Sequence, residues 1–215
     1  MEKLLVINAH ATVDSPDSFS LEVGKHFLEH YRKMNPNESI EQIDLYAEEI
    51  PEVNSTVLSA WGKLASGEEL TDEEKRVTGR MNDILQQFKS AKKYVIIMPL
   101  HNFNIPSRLK DYMDNVMIAR ETFKYTKNGG VGLLTDGRSV LVIQGSGAIY
   151  TNNDWYTDNE FSHKYLKSMF NFLGVEDYQI IRAQGTNVLD KADVLKNAKK
   201  DAEEAAAHLA KKVTV

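Results

Sequence analysis

Cysteine is absent from this 215-residue sequence. That excludes disulfides, thiolate nucleophiles and cysteine metal ligands. No apolar run approaches the ~20 residues that a membrane-spanning helix needs, so no membrane partner is expected. The chain enters a strand-like run within a few residues, which leaves no room for a signal peptide, and a cytoplasmic location is expected. Lysine and arginine form no one-sided cluster, and the net charge is -5. A nucleic-acid partner is therefore not expected. No Gly-x-Gly-x-x-Gly follows the first apolar run and no Gly-x-x-x-x-Gly-Lys-Ser/Thr occurs, which argues against dinucleotide-binding and nucleoside triphosphatase folds. Proline is scarce, at five residues, yet two of the five bracket one short loop.

What is present suits an α/β protein. Apolar residues make up 42% of the chain, enough for a full core, and one domain over 1–215 is the expected organisation. Lys3 to Asn8 is a near-continuous apolar run, as in a strand covered on both faces. Phe19, Val23, Phe27, Tyr31 and Met34 recur at helical steps until Asn35-Pro36-Asn37 stops them. Ser39 to Tyr46 alternates as a second strand. Glu48 to Glu69 is broken by Pro51, Gly62 and Gly67, but Val57, Leu58, Trp61 and Leu64 keep helical spacing. Thr71-x-x-Glu74 is a capping box, opening a helix with Val77, Met81, Ile84, Leu85 and Phe88 on one face. Strands follow at Tyr94 to Met98, Ser139 to Gln144 and Tyr178 to Ala183. Helices are expected from Ser107, from Phe161 and from the cap Asp190, with Asp154 to Asp158 a polar and aromatic loop. Glu121 to Leu134 carries a hairpin-like signal, with Asn128-Gly129 at its turn. This order implies a doubly wound, five-stranded parallel sheet of flavodoxin-like order 2-1-3-4-5, with a helical insertion and a hairpin excursion.

In such a sheet the loops after strands 1, 3 and 4 meet at one edge, where open α/β sheets bind ligands. The loop after strand 3, Pro99-Leu100-His101-Asn102-Phe103-Asn104-Ile105-Pro106, is stiffened by its prolines. It suits one edge of a flat, polar-rimmed ring such as the isoalloxazine of a flavin. The first loop, from His10 onward, carries Ser18-Phe19-Ser20 at a helix entry. Hydroxyls and free N–H groups there suit a dianionic phosphate, although Ser18 is equally an N-cap. The third, Gln144-Gly145-Ser146-Gly147, lets the backbone approach a planar ligand closely, although such glycines also serve as plain turns.

Ser18-Phe19-Ser20, Pro99-x-x-Asn102-Phe103-Asn104-Ile105-Pro106, Thr122-Phe123-x-Tyr125-Thr126-x-Asn128-Gly129 and the strand ending in a glycine-rich turn together resemble the FMN-dependent NADH azoreductases. That family overlaps in activity with the NAD(P)H quinone dehydrogenases. The resemblance runs from Leu4 to the last helix. It implies a homodimer with FMN at the dimer interface. It also implies ping-pong hydride transfer from NADH to the flavin, then to quinones or azo compounds. By the same resemblance Ser18, Phe19 and Ser20 hold the phosphate, and Leu100, His101, Asn102 and Phe103 contact the isoalloxazine and ribityl. Gln144, Gly145, Ser146 and Gly147 line the ring's other edge. Phe123 and Phe172 match aromatic positions near the substrate cleft, and Phe123 is expected to form part of a shelf above the flavin. His10 stands where many members carry a serine near the phosphate, and His101 where a tyrosine or tryptophan is frequent.

On that resemblance no side-chain nucleophile is needed, because a flavin would carry the reaction. His26 and His30, four residues apart, match a zinc-protease pattern. The buried stripe of Phe27 and Tyr31 puts both at the helix edge, no third ligand is evident in the sequence, and no metal is expected. Two other readings stand beside the reductase: a flavodoxin-type one-electron carrier, and a non-catalytic α/β regulator with an empty cleft.

Overall fold

The computed structural model describes residues 3–211. Strand β1 (Lys3–Asn8) leads into helix α1 (Phe19–Met34) and strand β2 (Ser39–Asp44). Two insertion helices follow, α2 (Ser55–Ser66) and α3 (Asp72–Ser90), then β3 (Lys93–Pro99) and α4 (Ser107–Val116). A hairpin of β4 (Phe123–Thr126) and β5 (Gly129–Gly132) precedes β6 (Ser139–Ser146). The chain ends with α5 (Trp155–Asp158), α6 (Phe161–Leu173), β7 (Asp177–Gln184) and α7 (Lys191–Ala210).

The main sheet is parallel, in the order β2-β1-β3-β6-β7. Counting only its own strands, this is the expected order 2-1-3-4-5. Its alternating residues feed two cores, as the two-residue period of a strand requires. Leu4, Val6, Val95, Ile97, Leu141 and Ile143 face α1 and α7. Leu5, Ile7, Tyr94, Ile96, Val140 and Val142 face α3, α4 and α6. The alanines of α7 (Ala198, Ala202, Ala205 and Ala206) are all buried on the sheet. No helix among the described residues is long and apolar enough to cross a membrane.

The capping box that opens α3 is formed in full. Thr71 Oγ1 accepts from the Glu74 N–H, and the Glu74 carboxylate accepts from the Thr71 N–H at 2.7 Å. The same carboxylate ties α3 to α2 through Ser59 and Lys63. Together these donors hold the Glu74 pKa at about 2, with the Lys63 ammonium the largest influence.

Three expectations shift. The hairpin pairs Thr126 with Gly129, so its turn residues are Lys127 and Asn128 rather than Asn128 and Gly129. Strand β6 runs on through Gly145 and Ser146, which pair with β7, instead of ending at Gln144. Residues 155–158, read as loop, form the short helix α5, capped by Asp154, whose side chain accepts from the N–H groups of Tyr156 and Thr157.

Candidate functional site

The three loops named from the sequence meet at the carboxyl edge of the sheet. A Cβ built on Gly145 would lie 3.3 Å from the Ser20 amide nitrogen, so the end of β6 abuts the first turn of α1. From the other side, the Leu100 N–H donates to the Gly145 carbonyl at 2.8 Å. One glycine therefore touches both other segments, and an added Cβ would sit in tight contact with the first turn of α1.

At the start of α1, Ser18 caps the helix by accepting from the Leu21 N–H, and its Oγ lies 3.2 Å from the Ser20 Oγ. Among the described residues, the Phe19 and Ser20 N–H groups have no acceptor within the chain. Such first-turn donors, with the helix dipole behind them, suit an anion. Ser18 thus serves as cap and lies beside the free donors at once. The loop before it is held from below by Asn8, a residue the sequence reading passed over. Asn8 is buried, accepts from the His10 N–H, and donates to Asp44 at 2.8 Å. His10 folds back on its own loop, its Nδ1 2.6 Å from the Thr12 carbonyl oxygen.

The loop after β3 is a tight turn. His101 and Asn104 exchange both backbone hydrogen bonds, at 3.0 and 2.8 Å. Between them Asn102 and Phe103 both take positive φ, 46° and 67°. Asparagine tolerates that region, but for phenylalanine it is an outlier, and such strain persists where surrounding structure over-determines it. Here Phe103 is pinned at both ends. Its carbonyl accepts from the Ser162 N–H, and its ring meets Trp155 edge-on at 5.3 Å, with Tyr150 and Tyr156 nearby. The turn leaves His101 and Asn102 exposed to solvent. The aromatic wall of Tyr150, Trp155 and Tyr156 was missed as part of the site. Its signal was the density of aromatic residues between positions 150 and 161.

The Gln144 side chain turns inward, under the loop edge. It is fully buried, donating to Glu160 at 2.9 Å and accepting from Ser162 Oγ at 2.7 Å. Glu160 in turn receives Arg182 through two N–H groups, at 2.7 and 2.8 Å. Gln144 holds the start of α6 under the edge. Gly147 packs against the Asn187 side chain, and the Ser146 hydroxyl donates to the Ala148 carbonyl.

Phe123 and Phe172 are brought together, with ring centroids 5.0 Å apart, but not at this edge. The hairpin docks on the last turn of α6: the Leu134 N–H donates to the Leu173 carbonyl, and Gly132 lies flush against the Leu173 backbone. The loop edge contacts the first turn of α6, at Ser162. Phe172 therefore sits about 15 Å further along that helix, from the 1.5 Å rise per residue. Within one chain neither phenylalanine lies beside Asn102. Sequence reasoning could not see this, because α6 runs antiparallel to the strands and carries its end away from their carboxyl edge.

This fold and edge are those of a flavodoxin-like protein. The family model described as "Flavodoxin-like fold" matches residues 2–209. The chain is 67% identical over 213 residues to FMN-dependent NADH:quinone oxidoreductase 1 of Bacillus anthracis, covering 99% of this chain and 97% of the relative. It is 43% identical over 200 residues to FMN-dependent NADH:quinone oxidoreductase 2 of Bacillus subtilis, covering 91% and 93%. The crystal structure of an FMN-dependent NADH-azoreductase from Bacillus anthracis in complex with FMN superposes with a TM-score of 0.97 at 66% identity, covering 98% of this chain and 100% of that one. The chain belongs to the flavodoxin-like family and, within it, to the FMN-dependent NADH:quinone oxidoreductases.

Proposed function

We propose that this chain is an FMN-dependent NADH:quinone oxidoreductase with azoreductase activity, working in the cytoplasm as a homodimer of one flavin-binding domain per chain. The observation that carries this is the contact of Gly145 with both Ser20 and Leu100, which assembles three separate loops into one edge. The residues at that edge fit FMN. Ser18, Ser20 and the free N–H groups of Phe19 and Ser20 take the phosphate, with His10 beside them. Leu100, His101, Asn102 and Phe103 meet the isoalloxazine and ribityl. The backbone of Gly145, Ser146 and Gly147 lies along the ring's other edge, with Gln144 bracing it from beneath. Bound FMN would supply two-electron hydride acceptance from NADH and donation to a quinone or azo acceptor.

The residues supply position and charge. The main chain at 145–147 would offer polar backbone groups to stabilise negative charge on a bound flavin. Water or the exposed His101 delivers the protons that the acceptor takes up. The tight turn at Asn102 and Phe103 fixes its donors before the ligand arrives, so little ordering cost is met on binding.

The dimer is supported by what one chain leaves unfinished. Trp155, Tyr156 and Phe161 are large apolar residues exposed beside the loop edge, and such clusters mark interaction surfaces. Phe123 and Phe172 are too far from their own loop edge to cover a flavin there. A substrate role for them needs the hairpin of a second copy.

The test is the absorption spectrum of purified protein, followed by anaerobic NADH. A yellow protein that bleaches with NADH and recolours with added quinone is expected. A colourless protein that takes up no FMN, or a flavoprotein inert to NADH, overturns the proposal. The carrier reading is disfavoured by whole-length relatives named as oxidoreductases.

A further inference from the structure

Away from the flavin edge, α1 and α7 bring three potential metal ligands together. His26 and His30 lie one turn apart on α1, and Glu203 reaches them from α7, 177 positions after His26. That distance along the chain is why no third ligand was evident from the sequence. His26 Nε2 is 2.9 Å and His30 Nε2 is 3.6 Å from the same Glu203 oxygen. The three ligand atoms lie within 4.8 Å of one another. Tetrahedral zinc with ligands at ~2.0–2.1 Å places them about 3.3 Å apart, and the two measured separations fall on either side of that value.

The His30 ring is held in the orientation a metal needs. Its Nδ1 lies 3.0 Å from the His26 carbonyl oxygen. A carbonyl only accepts, so Nδ1 carries a hydrogen, and Nε2 is the nitrogen left facing a carboxylate oxygen. A cation held between that nitrogen and the carboxylate would be ligated by both. An imidazole whose other N–H is tied to a backbone carbonyl is also the usual outer-shell arrangement of a metal-bound histidine. The two rings are tilted by 43°, not stacked flat, which lets both Nε2 atoms converge on Glu203.

We propose that His26, His30 and Glu203 form a surface site for a divalent transition metal of borderline softness, with zinc as its probe and a fourth position open to water. The site clamps α1 to α7 across the outer layer of the protein. Ser18 lies about 12 Å from His26 along the same helix, by the rise per residue. Metal at this site therefore acts on stability without touching the flavin. A bare imidazolium–carboxylate pair is the competing account, and it requires no metal.

The experiment is calorimetric titration of zinc chloride into untagged, chelator-treated holoprotein, with thermal melting in parallel. One zinc per chain and a melting temperature that rises with zinc are expected, since a ligand of the folded state alone stabilises it by mass action. His26→Gln and Glu203→Gln should each weaken binding roughly tenfold or more, because even outer-shell changes cost ~10–100-fold. His208→Gln, which alters a histidine paired with Asp177 elsewhere, should bind as the parent does. Melting without zinc checks that each variant is folded, and the two ligand variants stand in for one another. Absence of binding at millimolar zinc overturns the proposal, as does binding that survives both substitutions.

Discussion

Gly145 rests on the first turn of α1 so closely that an added Cβ would stand 3.3 Å from the Ser20 nitrogen and 3.4 Å from its Cβ. The neighbour there is the backbone of a helix start, which cannot swing aside. Gly145→Val is therefore expected to push α1 off the end of β6 and weaken FMN binding by roughly tenfold or more, about 1.4 kcal/mol. Gly147→Ala is the contrast. Its added Cβ would meet the far end of the Asn187 side chain, which can rotate, so affinity should stay close to that of the parent. Flavin fluorescence titration measures both.

Glu160 is buried, and its partner Arg182 is nearly so, with side chains 5% and 19% exposed. Glu160→Ala would leave the guanidinium and the Gln144 amide without their shared acceptor. Removing one partner of a buried ion pair costs about 3–5 kcal/mol, and the slight exposure of Arg182 argues for the lower end. Urea unfolding of parent and variant reads the difference.

Two buried tyrosines should respond oppositely to loss of the hydroxyl. The Tyr94 hydroxyl donates toward the Phe88 and Ala91 carbonyls and accepts from Arg138 at 2.7 Å. Burial nonetheless pushes its pKa up to about 12. Tyr112 is as deeply buried, yet its hydroxyl has no hydrogen-bond partner among the described residues. Tyr94→Phe is expected to cost about 1–3 kcal/mol, because it strands buried partners. Tyr112→Phe should be neutral or stabilising. Thermal melts of the two variants separate the cases.

The Glu74 carboxyl gives a pH dependence with a definite sign. Its folded pKa of about 2 lies below the ordinary value of 4.5. Its contribution is therefore complete above about pH 4.5 and is lost as pH falls toward 2. The stability gap between parent and Glu74→Gln should be widest near neutrality and should narrow through that acid window. Thr71→Ala, which removes the other half of the capping box, should cost about 1 kcal/mol. Chemical denaturation across pH checks both.

Much of this arrangement was legible in the sequence because local chemistry wrote it there. Buried strands showed as apolar runs, α3 as Thr71 and Glu74 three residues apart, and the loop edge as strand order plus prolines and glycines. What stayed hidden was set by tertiary direction. The length of β6 depended on β7 accepting Gly145 and Ser146 into the ladder. The position of Phe172 depended on which way α6 runs. Gln144 looked like a free polar side chain until Glu160 and Ser162 arrived from the following helix. Glu203 could join His26 only once α7 packed beside α1.

In the proposed site the turn after β3 grips the flavin through Asn102. Asn102 sits at φ 46°, so Asn102→Gly removes the side chain while keeping a backbone that adopts this conformation freely. Flavin affinity of the variant, read by fluorescence titration beside a melt of the flavin-free protein, is the most direct measurement. Affinity roughly tenfold weaker with an unchanged melt is expected, the worth of about one good hydrogen bond. Parent-like affinity would contradict the assignment of that turn to the flavin.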